Sequence, residues 1–228
     1  MSFRLKPLDK AYFVITIDDA NKHLSEVYDI CHKYKLPLCP AIIPWNLDCV
    51  FDNSNGRSVR DICRLIVKDG GEILSHSGKY LQKDSNEADF DEVYRKTREA
   101  LTNEGFRIRG IVTAGGKDYL EDDPRLETWS KKYYEYSDRN GLKTDHQYWN
   151  PRFFYHDLAS MDNVFKTIDK YTEEKRFTIF AMHGSDDKND LEHRTHFEAL
   201  AAHLASYPPE KAAVTTWEYV FDTFGSFE

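Results

Sequence analysis

The sequence has no long apolar run and no basic block, and these two absences exclude several classes of protein. No apolar stretch approaches the ~18 residues of a membrane-spanning helix, and the first eight residues contain no apolar signal-peptide core. The formal net charge is −8, without a Lys/Arg cluster, so nucleic acid and anionic membranes are not expected partners. We predict a cytoplasmic protein without a membrane partner; a fragment of a larger secreted chain and a virion component stay open as alternatives.

Motifs for common cofactors and for disulfide frameworks are also missing. Neither G-x-G-x-x-G nor G-x-x-x-x-G-K-[ST] occurs, so nothing in the sequence supports a dinucleotide site or a P-loop. There are only four cysteines, and no pair of them has the C-x-x-C spacing. Cys31 and Cys63 fall on apolar helix stripes, which predicts buried free thiols.

What the sequence does contain is a repeated alternation of predicted strands and helices. Runs rich in β-branched and aromatic residues are bounded by turn residues, and stretches with apolar residues at i, i+3, i+4 and i+7 lie between them. About seven such units predict a parallel sheet with crossover helices, and they favour closure into a distorted (β/α)7-8 barrel formed by one domain, 1–228. Periodicity leaves an open doubly wound sheet as an alternative. The predicted strands are 12–17, 38–43, 72–75, 106–112, 133–136, 153–155, 177–182 and 213–215, and the main predicted helices are 21–34, 58–70, 90–101 and 124–132.

Two adjacent carboxylates, Asp18 and Asp19, end the first long strand. Carboxylates side by side repel each other unless a cation or a shared proton lies between them. The alternative is that one of them only caps the following helix. Since the carboxyl ends of parallel strands carry the active sites of α/β barrels, the pair is a candidate catalytic or metal-binding element.

Other polar residues follow later strands in the same way. His76 follows the third strand, the turn 113–116 follows the fourth, and His183 follows the seventh. A parallel barrel brings these strand ends to one face. The ordinary alternatives are a structural histidine at position 76 and a hydrogen-bonded core histidine at position 183.

Taken together, these segments resemble the signatures of the NodB-like polysaccharide deacetylases, carbohydrate esterase family 4. Ile17-Asp18-Asp19 resembles a strand ending in Thr-Phe-Asp-Asp, and the segment from Glu72 to Ser77, Glu-Ile-Leu-Ser-His-Ser, resembles Glu-Ile-x-x-His-(Ser/Thr)-x-x-His. Phe-Ala-Met-His at 180–183 resembles a strand ending in Leu-x-His, and Val-Thr-Thr-Trp-Glu at 214–218 resembles a closing Val-Thr-Leu-x-Glu. The resemblance implies a distorted barrel of the NodB type and a hydrolase that removes acetyl groups from an N-acetylated, less favourably an O-acetylated, sugar.

The resemblance also implies a role for each matching residue. Asp18 would be the general base and His183 the general acid that protonates the leaving amine. Asp19 and His76 would be ligands of a divalent metal, expected to be Zn²⁺, with Co²⁺ or Ni²⁺ as alternatives. A carboxylate and a neutral imidazole suit such an ion, and histidine suits proton transfer near neutral pH because its pKa is about 6.5. The expected partner is a carbohydrate.

The sequence departs from the family pattern at two places. The second metal histidine, four residues after His76, is replaced by Tyr80, and a neutral phenol is a poor ligand. The Arg-x-Pro-x-Gly segment keeps a glycine, Gly115, but lacks its arginine, for which Arg152 is a candidate substitute; Arg109 is expected to point away. Candidate third ligands are His23, His146 and His156. Two alternatives therefore stay open: a metal-free C–N amide hydrolase on the same scaffold, and a non-catalytic carbohydrate-binding homologue.

Overall fold

The computed structural model describes residues 3–19, 22–113, 123–137, 153–154, 160–183 and 190–227. Its elements follow one another with the predicted alternation of strand and helix. The strands are β1 (Phe3–Leu5), β2 (Ala11–Asp18), β3 (Ala41–Ile42), β4 (Leu74–His76), β5 (Gly110–Val112), β6 (Tyr136–Ser137), β7 (Phe153–Phe154), β8 (Phe177–His183), β9 (Ala212–Val214) and β10 (Gly225–Phe227). The α-helices are α1 (Leu24–Tyr34), α2 (Val59–Lys68), α3 (Glu87–Asp91), α4 (Thr97–Asn103), α5 (Pro124–Tyr133), α6 (Met161–Glu173), α7 (Asp190–Ala205) and α8 (Trp217–Phe224).

Strand β2 is the centre of the fold. All eight of its residues are buried, as its continuous apolar run predicts for a strand covered on both faces. It pairs in parallel with β8 over its whole length and with β9 over its first three residues. The Thr16 hydroxyl donates a hydrogen bond to the Phe180 carbonyl at 3.0 Å, so that the one polar side chain in the middle of the strand is satisfied.

The described strands form two parallel four-stranded sheets, ordered β7-β8-β2-β9 and β3-β4-β5-β6. The two sheets meet at β2. The Phe13 carbonyl accepts from the Thr215 N–H, just after β9, and two residues further on the Ile15 carbonyl accepts from the Cys39 N–H, just before β3, both at 2.9 Å. Because alternate carbonyls of a strand point to the same side, β9 and the β3 segment share one edge of β2. The prediction of a parallel-strand α/β fold is confirmed.

Several predicted strands are right in position but too long. The prediction of 38–43 corresponds to Ala41–Ile42, and the prediction of 106–112 corresponds to Gly110–Val112. The backbone before β3 is nonetheless bonded, since the Leu38 and Pro40 carbonyls accept N–H groups of the chain entering β4, at 3.1 and 2.9 Å. Pro40 has no N–H to contribute to a regular ladder, which delays the start of the strand.

The helix predictions are confirmed with small differences at the ends. Ser58 caps α2 through a capping box with Asp61. The predicted helix 90–101 is part of a longer one, in which α3 continues through a π-helical turn (Glu92–Lys96) into α4. None of the described helices has the length and apolar character needed to cross a membrane.

Cys31 and Cys63 are buried free thiols, as predicted, and Cys39 and Cys49 are free thiols as well. An antiparallel pair, β1 with β10, was not predicted. It joins segments 220 residues apart in sequence, each only three residues long, and nothing local in either segment specifies a partner.

Candidate active site at the strand ends

The polar residues expected at the strand ends come together at one face of the sheets. Asp18, the last residue of β2, lies opposite His183, the last residue of β8, in the parallel register. His76, the last residue of β4, lies opposite Val112, the last residue of β5. Asp18 is only 2% exposed, and a carboxylate buried to this extent is normally paired. The side chain of His183 lies outside the described part of the structure.

Asp19 leaves the strand in an unusual backbone conformation that brings its carboxylate to His76. Its φ is +71°, in the left-handed region that residues other than glycine seldom occupy. The Asn46 side-chain amide donates to the Asp19 carbonyl at 3.3 Å and so braces this turn. The Asp19 Oδ1 atom lies 3.0 Å from the His76 Nε2 atom, and the Asp19 side chain is 38% exposed.

The alternative in which the acidic pair caps the following helix is wrong. Helix α1 begins after His23, which occupies the N-cap position without a side-chain hydrogen bond to the helix. Asp19 instead contacts a histidine 57 residues further along the chain. Asp19 is therefore part of a long-range contact and not of the helix cap.

His76 is held in one orientation by its second ring nitrogen. Its Nδ1 atom lies 2.6 Å from the Val112 carbonyl oxygen, to which only an N–H can donate. The Nε2 atom is thereby directed at Asp19, in the arrangement that metal-binding histidines use, where the outer N–H bonds a carbonyl. Burial by itself lowers the pKa of His76, but the Asp19 hydrogen bond, the Asp18 charge and the Val112 carbonyl together raise this pKa above its usual value.

Asp19 and His76 are the two residues that the resemblance assigns to a divalent ion. Their Oδ1 and Nε2 atoms lie 3.0 Å apart, close enough for both to contact one ion, but catalytic zinc sites typically have three protein ligands. Among the residues that the structure describes, no group of three or more His, Cys, Asp or Glu side chains is arranged to hold a metal ion. A third protein ligand is therefore not supplied by a described residue of these types.

Tyr80, at the position of the family's second metal histidine, is 54% exposed. Lys79 anchors the loop that carries it, with its Nζ atom 2.9 Å from both Asp89 and Glu92 on the following helix. The Ser77 hydroxyl donates to the Lys79 carbonyl at 3.0 Å and tightens the turn after β4. The phenol therefore lies on an anchored loop, four residues after His76 in the chain.

Glu72, the first residue of the segment that resembles the family signature, has a structural contact. Its carboxylate accepts hydrogen bonds from the Tyr136 hydroxyl and, at 2.9 Å, from the Glu218 N–H in the first turn of α8. A helix N-terminus favours a negative charge, but complete burial raises the pKa of Glu72 to about 7. This carboxylate connects β4 to α8 and lies at the opposite end of the strand from His76.

Arg109 does not orient the candidate base. It precedes β5, whereas Val112 at the other end of that strand contacts His76. Its guanidinium group binds Glu135 and Asp222 instead, so the expectation that Arg109 points away from the site is confirmed.

Of the remaining candidates, His23 is the one that lies within the described residues. His23 is the N-cap of α1, where its Nδ1 atom lies 3.5 Å from Glu26. Gly115, Arg152, His146 and His156 lie outside the described residues. Asn46 was not among the predicted site residues; its place shortly after the predicted strand 38–43 was the available signal.

Comparison with solved structures identifies the fold. A peptidoglycan N-acetylglucosamine deacetylase, solved with 4-naphthalen-1-yl-N-oxidanyl-benzamide, is 14% identical with a TM-score of 0.62, over 96% of this chain and 92% of that one. A family 4 carbohydrate esterase from Streptomyces lividans, in complex with acetate, is 14% identical with a TM-score of 0.58, over 91% and 93% of the two chains. A mutant of a family 4 pseudoenzyme with restored enzymatic activity is 13% identical with a TM-score of 0.62, over 96% and 70%.

These likenesses confirm the predicted fold class, a distorted barrel of the NodB type. No family model matches the chain, and no curated protein matches it. At such low identity the shared property is the fold, because function depends on the residues of the site.

Proposed function

We propose that this chain, which folds like the family 4 carbohydrate esterases, is a hydrolase that removes acetyl groups from an N-acetylated, less favourably an O-acetylated, sugar. One observation carries the proposal: the 3.0 Å contact between Asp19 and His76. This contact lies next to the buried Asp18. In the parallel register of β2 and β8, Asp18 lies opposite the backbone of His183. Two structural neighbours, named as a peptidoglycan N-acetylglucosamine deacetylase and as a family 4 carbohydrate esterase, support the same interpretation.

In this proposal Asp18 takes a proton from the attacking water. A carboxylate suits this role of general base, and Asp18 is held at the buried end of β2, next to Asp19. His183 gives a proton to the departing nitrogen or oxygen of the sugar, a role that suits imidazole near neutral pH. Asp19 and His76 hold a divalent ion, proposed to be Zn²⁺. When bound, such an ion stabilises negative charge on the acetyl oxygen and lowers the pKa of water.

The first test is metal content beside acetate release. We expect stoichiometric Zn²⁺ or Co²⁺ in the purified protein, loss of this metal in Asp19→Ala and His76→Ala, and acetate release from acetylated oligosaccharides by the parent protein only. The matched control is His32→Ala, which breaks another His–Asp pair, a 2.7 Å contact with Asp69 on the exposed surface between α1 and α2. Absence of metal from the parent protein, even after incubation with excess Zn²⁺, would contradict the metal-assisted reaction; acetate release without metal would then favour the metal-free amide hydrolase.

A second candidate function is a carbohydrate-binding homologue without catalysis. Tyr80 favours it, because the expected third ligand is replaced by an exposed phenol, and one structural neighbour is a pseudoenzyme whose mutant regained activity. The two candidates differ in acetate release, which only the first one predicts.

Restoring the histidine separates these candidates further. Tyr80→His is expected to raise the affinity for Zn²⁺ by at least about tenfold, since it adds an imidazole four residues after His76, where the family has its second metal histidine. The measurement is a competition titration with a metal chelator. Tyr80→Phe is the control, because it removes the hydroxyl and adds no ligand. Equal affinities in the three proteins would show that position 80 does not reach the metal.

A further inference from the structure

Asp19 has a left-handed backbone conformation that its place in the chain does not explain. Among the described residues, four other than glycine have a positive φ, and three of these lie at the C-terminal end of a helix, where this conformation is common. Asp19 instead follows a strand directly. A left-handed residue in such a place persists when contacts from its surroundings hold it there. The three residues at helix ends are Lys35 after α1, Asn55 after the 3₁₀ turn Asp52–Ser54, and Lys175 one residue beyond the C-cap of α6.

The side chain of Asn46 supplies a contact of this kind. Its Nδ2 atom donates a hydrogen bond to the Asp19 carbonyl oxygen at 3.3 Å. The carbonyl oxygen moves when the ψ angle of Asp19 rotates, so a donor in a fixed place limits that rotation. The same residue carries the carboxylate whose Oδ1 atom lies 3.0 Å from the His76 Nε2 atom. The Asn46 hydrogen bond therefore constrains one partner of the Asp19–His76 contact.

Asn46 is itself held by a well-bonded backbone. It is the last residue of a short 3₁₀ turn, Pro44–Asn46, which comes soon after β3. Its N–H donates to the Ile43 carbonyl at 3.0 Å. The next residue, Leu47, is buried, and its carbonyl accepts the Arg60 N–H of α2 at 2.9 Å. The amide of Asn46 is thus presented from a fixed position, which a group that orients another group requires.

We propose that Asn46 is a positioning residue: it holds Asp19 in the left-handed conformation from which the Asp19 carboxylate meets His76. The inference rests on the proposed function for the ion and for the reaction, whereas the positioning itself is a property of the metal-free protein. Replacing a residue that orients a metal ligand typically lowers metal affinity or activity by about 10- to 100-fold. Asn46 acts through Asp19 and takes no part in proton transfer.

The test replaces Asn46 with leucine, which has nearly the same size and no donor, and with glutamine, which keeps the amide. The first readout needs no metal. It is the ring-nitrogen signals of the histidines in a proton–nitrogen NMR spectrum of the metal-free protein. We expect Asn46→Leu to shift the Nε2 signal of His76, because the contact with Asp19 is loosened. The signals of His32, which contacts Asp69 between α1 and α2, are expected to stay in place.

The second readout is the Kd for Co²⁺, measured by competition with a chelator. We expect Asn46→Leu to raise this Kd by about tenfold and to lower kcat for acetate release by about tenfold or more, with little change in KM. Asn46→Gln is expected to recover part of each loss. The control is Asp52→Ala, which changes an exposed residue of the same loop and is expected to leave every readout unchanged.

These readouts separate positioning from a purely structural role of Asn46. A structural role would lower the thermal stability of Asn46→Leu and leave the His76 signal and the Co²⁺ affinity unchanged, and this result would overturn the proposal. If the leucine variant does not fold, Asn46→Ala provides the same comparison, since it also removes the donor.

The outcomes also distinguish this inference from the proposed function. If the parent protein binds Co²⁺ and releases acetate, and Asn46→Leu equals it in the His76 signal, Kd and kcat, the positioning role is wrong and the proposed function stands. If the parent protein binds no metal and releases no acetate, the proposed function is wrong, and the NMR comparison decides the positioning role alone. A shifted His76 signal then supports that role, and an unchanged signal refutes it.

Discussion

Replacing Asp18 with asparagine is expected to lower kcat for acetate release by about 10²- to 10⁴-fold, the range that loss of a general acid or base produces. Asparagine has nearly the same size as aspartate, so the buried end of β2 keeps its packing, but its amide does not accept a proton from water. Asp18 is 2% exposed, so a molecule of bulk water does not readily take over its role as proton acceptor. The measurement is steady-state acetate release with Zn²⁺ affinity measured in parallel, and the affinity is expected to change much less than kcat.

The matched control for this variant is Asp48→Asn. Asp48 is an exposed residue of the loop after β3, and its carboxylate contacts Arg60 on α2 at 2.8 Å. Its replacement is expected to leave kcat unchanged. An Asp18→Asn variant with normal kcat and normal thermal stability would show that another residue takes the proton, and would remove Asp18 from the proposed mechanism.

Replacing Arg109 with alanine is expected to lower the free energy of unfolding by about 3 kcal/mol, because a charge that is paired in the interior is lost together with its contacts. Arg109 is 8% exposed. Its guanidinium nitrogens lie 2.6–2.9 Å from oxygens of Glu135, Asp222 and Glu218, and it stacks over Tyr136. Arg109 holds the pKa of Asp222 below its usual value, which reflects the same charge pairing.

The size of this effect is limited by the partners. The side chains of Glu135 and Asp222 are about half exposed, so water solvates them after the arginine is gone, and the loss is placed at the low end of the range for broken buried pairs. The measurement is urea unfolding at constant pH, compared with Arg95→Ala. Arg95 also contacts two carboxylates, Asp91 and Glu99, but on the helix surface, where ion pairs contribute little. Equal losses in the two variants would show that burial does not strengthen the Arg109 cluster.

Much of the fold and half of the site could be predicted from the sequence. The apolar run 12–17 forms a strand that is buried on both faces. The change from apolar residues to Asp18 and Asp19 marks the end of this strand. His76 and His183 are found by the same local signal, a polar residue that ends an apolar strand. These features depend on neighbours in the chain, and for that reason periodicity and residue type are sufficient to find them.

The tertiary structure decided which of these residues meet. The contact of Asp19 with His76 depends on two features of the fold. One is the left-handed backbone conformation at Asp19, and the other is the position of β4, which pairs with β3, a strand whose preceding segment is hydrogen-bonded to β2. The residues around position 19 do not specify either feature. In the same way, Asn46 supports Asp19, Arg109 enters an ionic cluster at the opposite strand end, and β1 finds β10 only after the chain has folded. The sequence by itself determined the strands and the residues that end them, because hydrophobic periodicity is local. The pairing of the ends was decided by long-range packing, because the order of strands in a sheet is set by how the crossover helices bury their apolar faces.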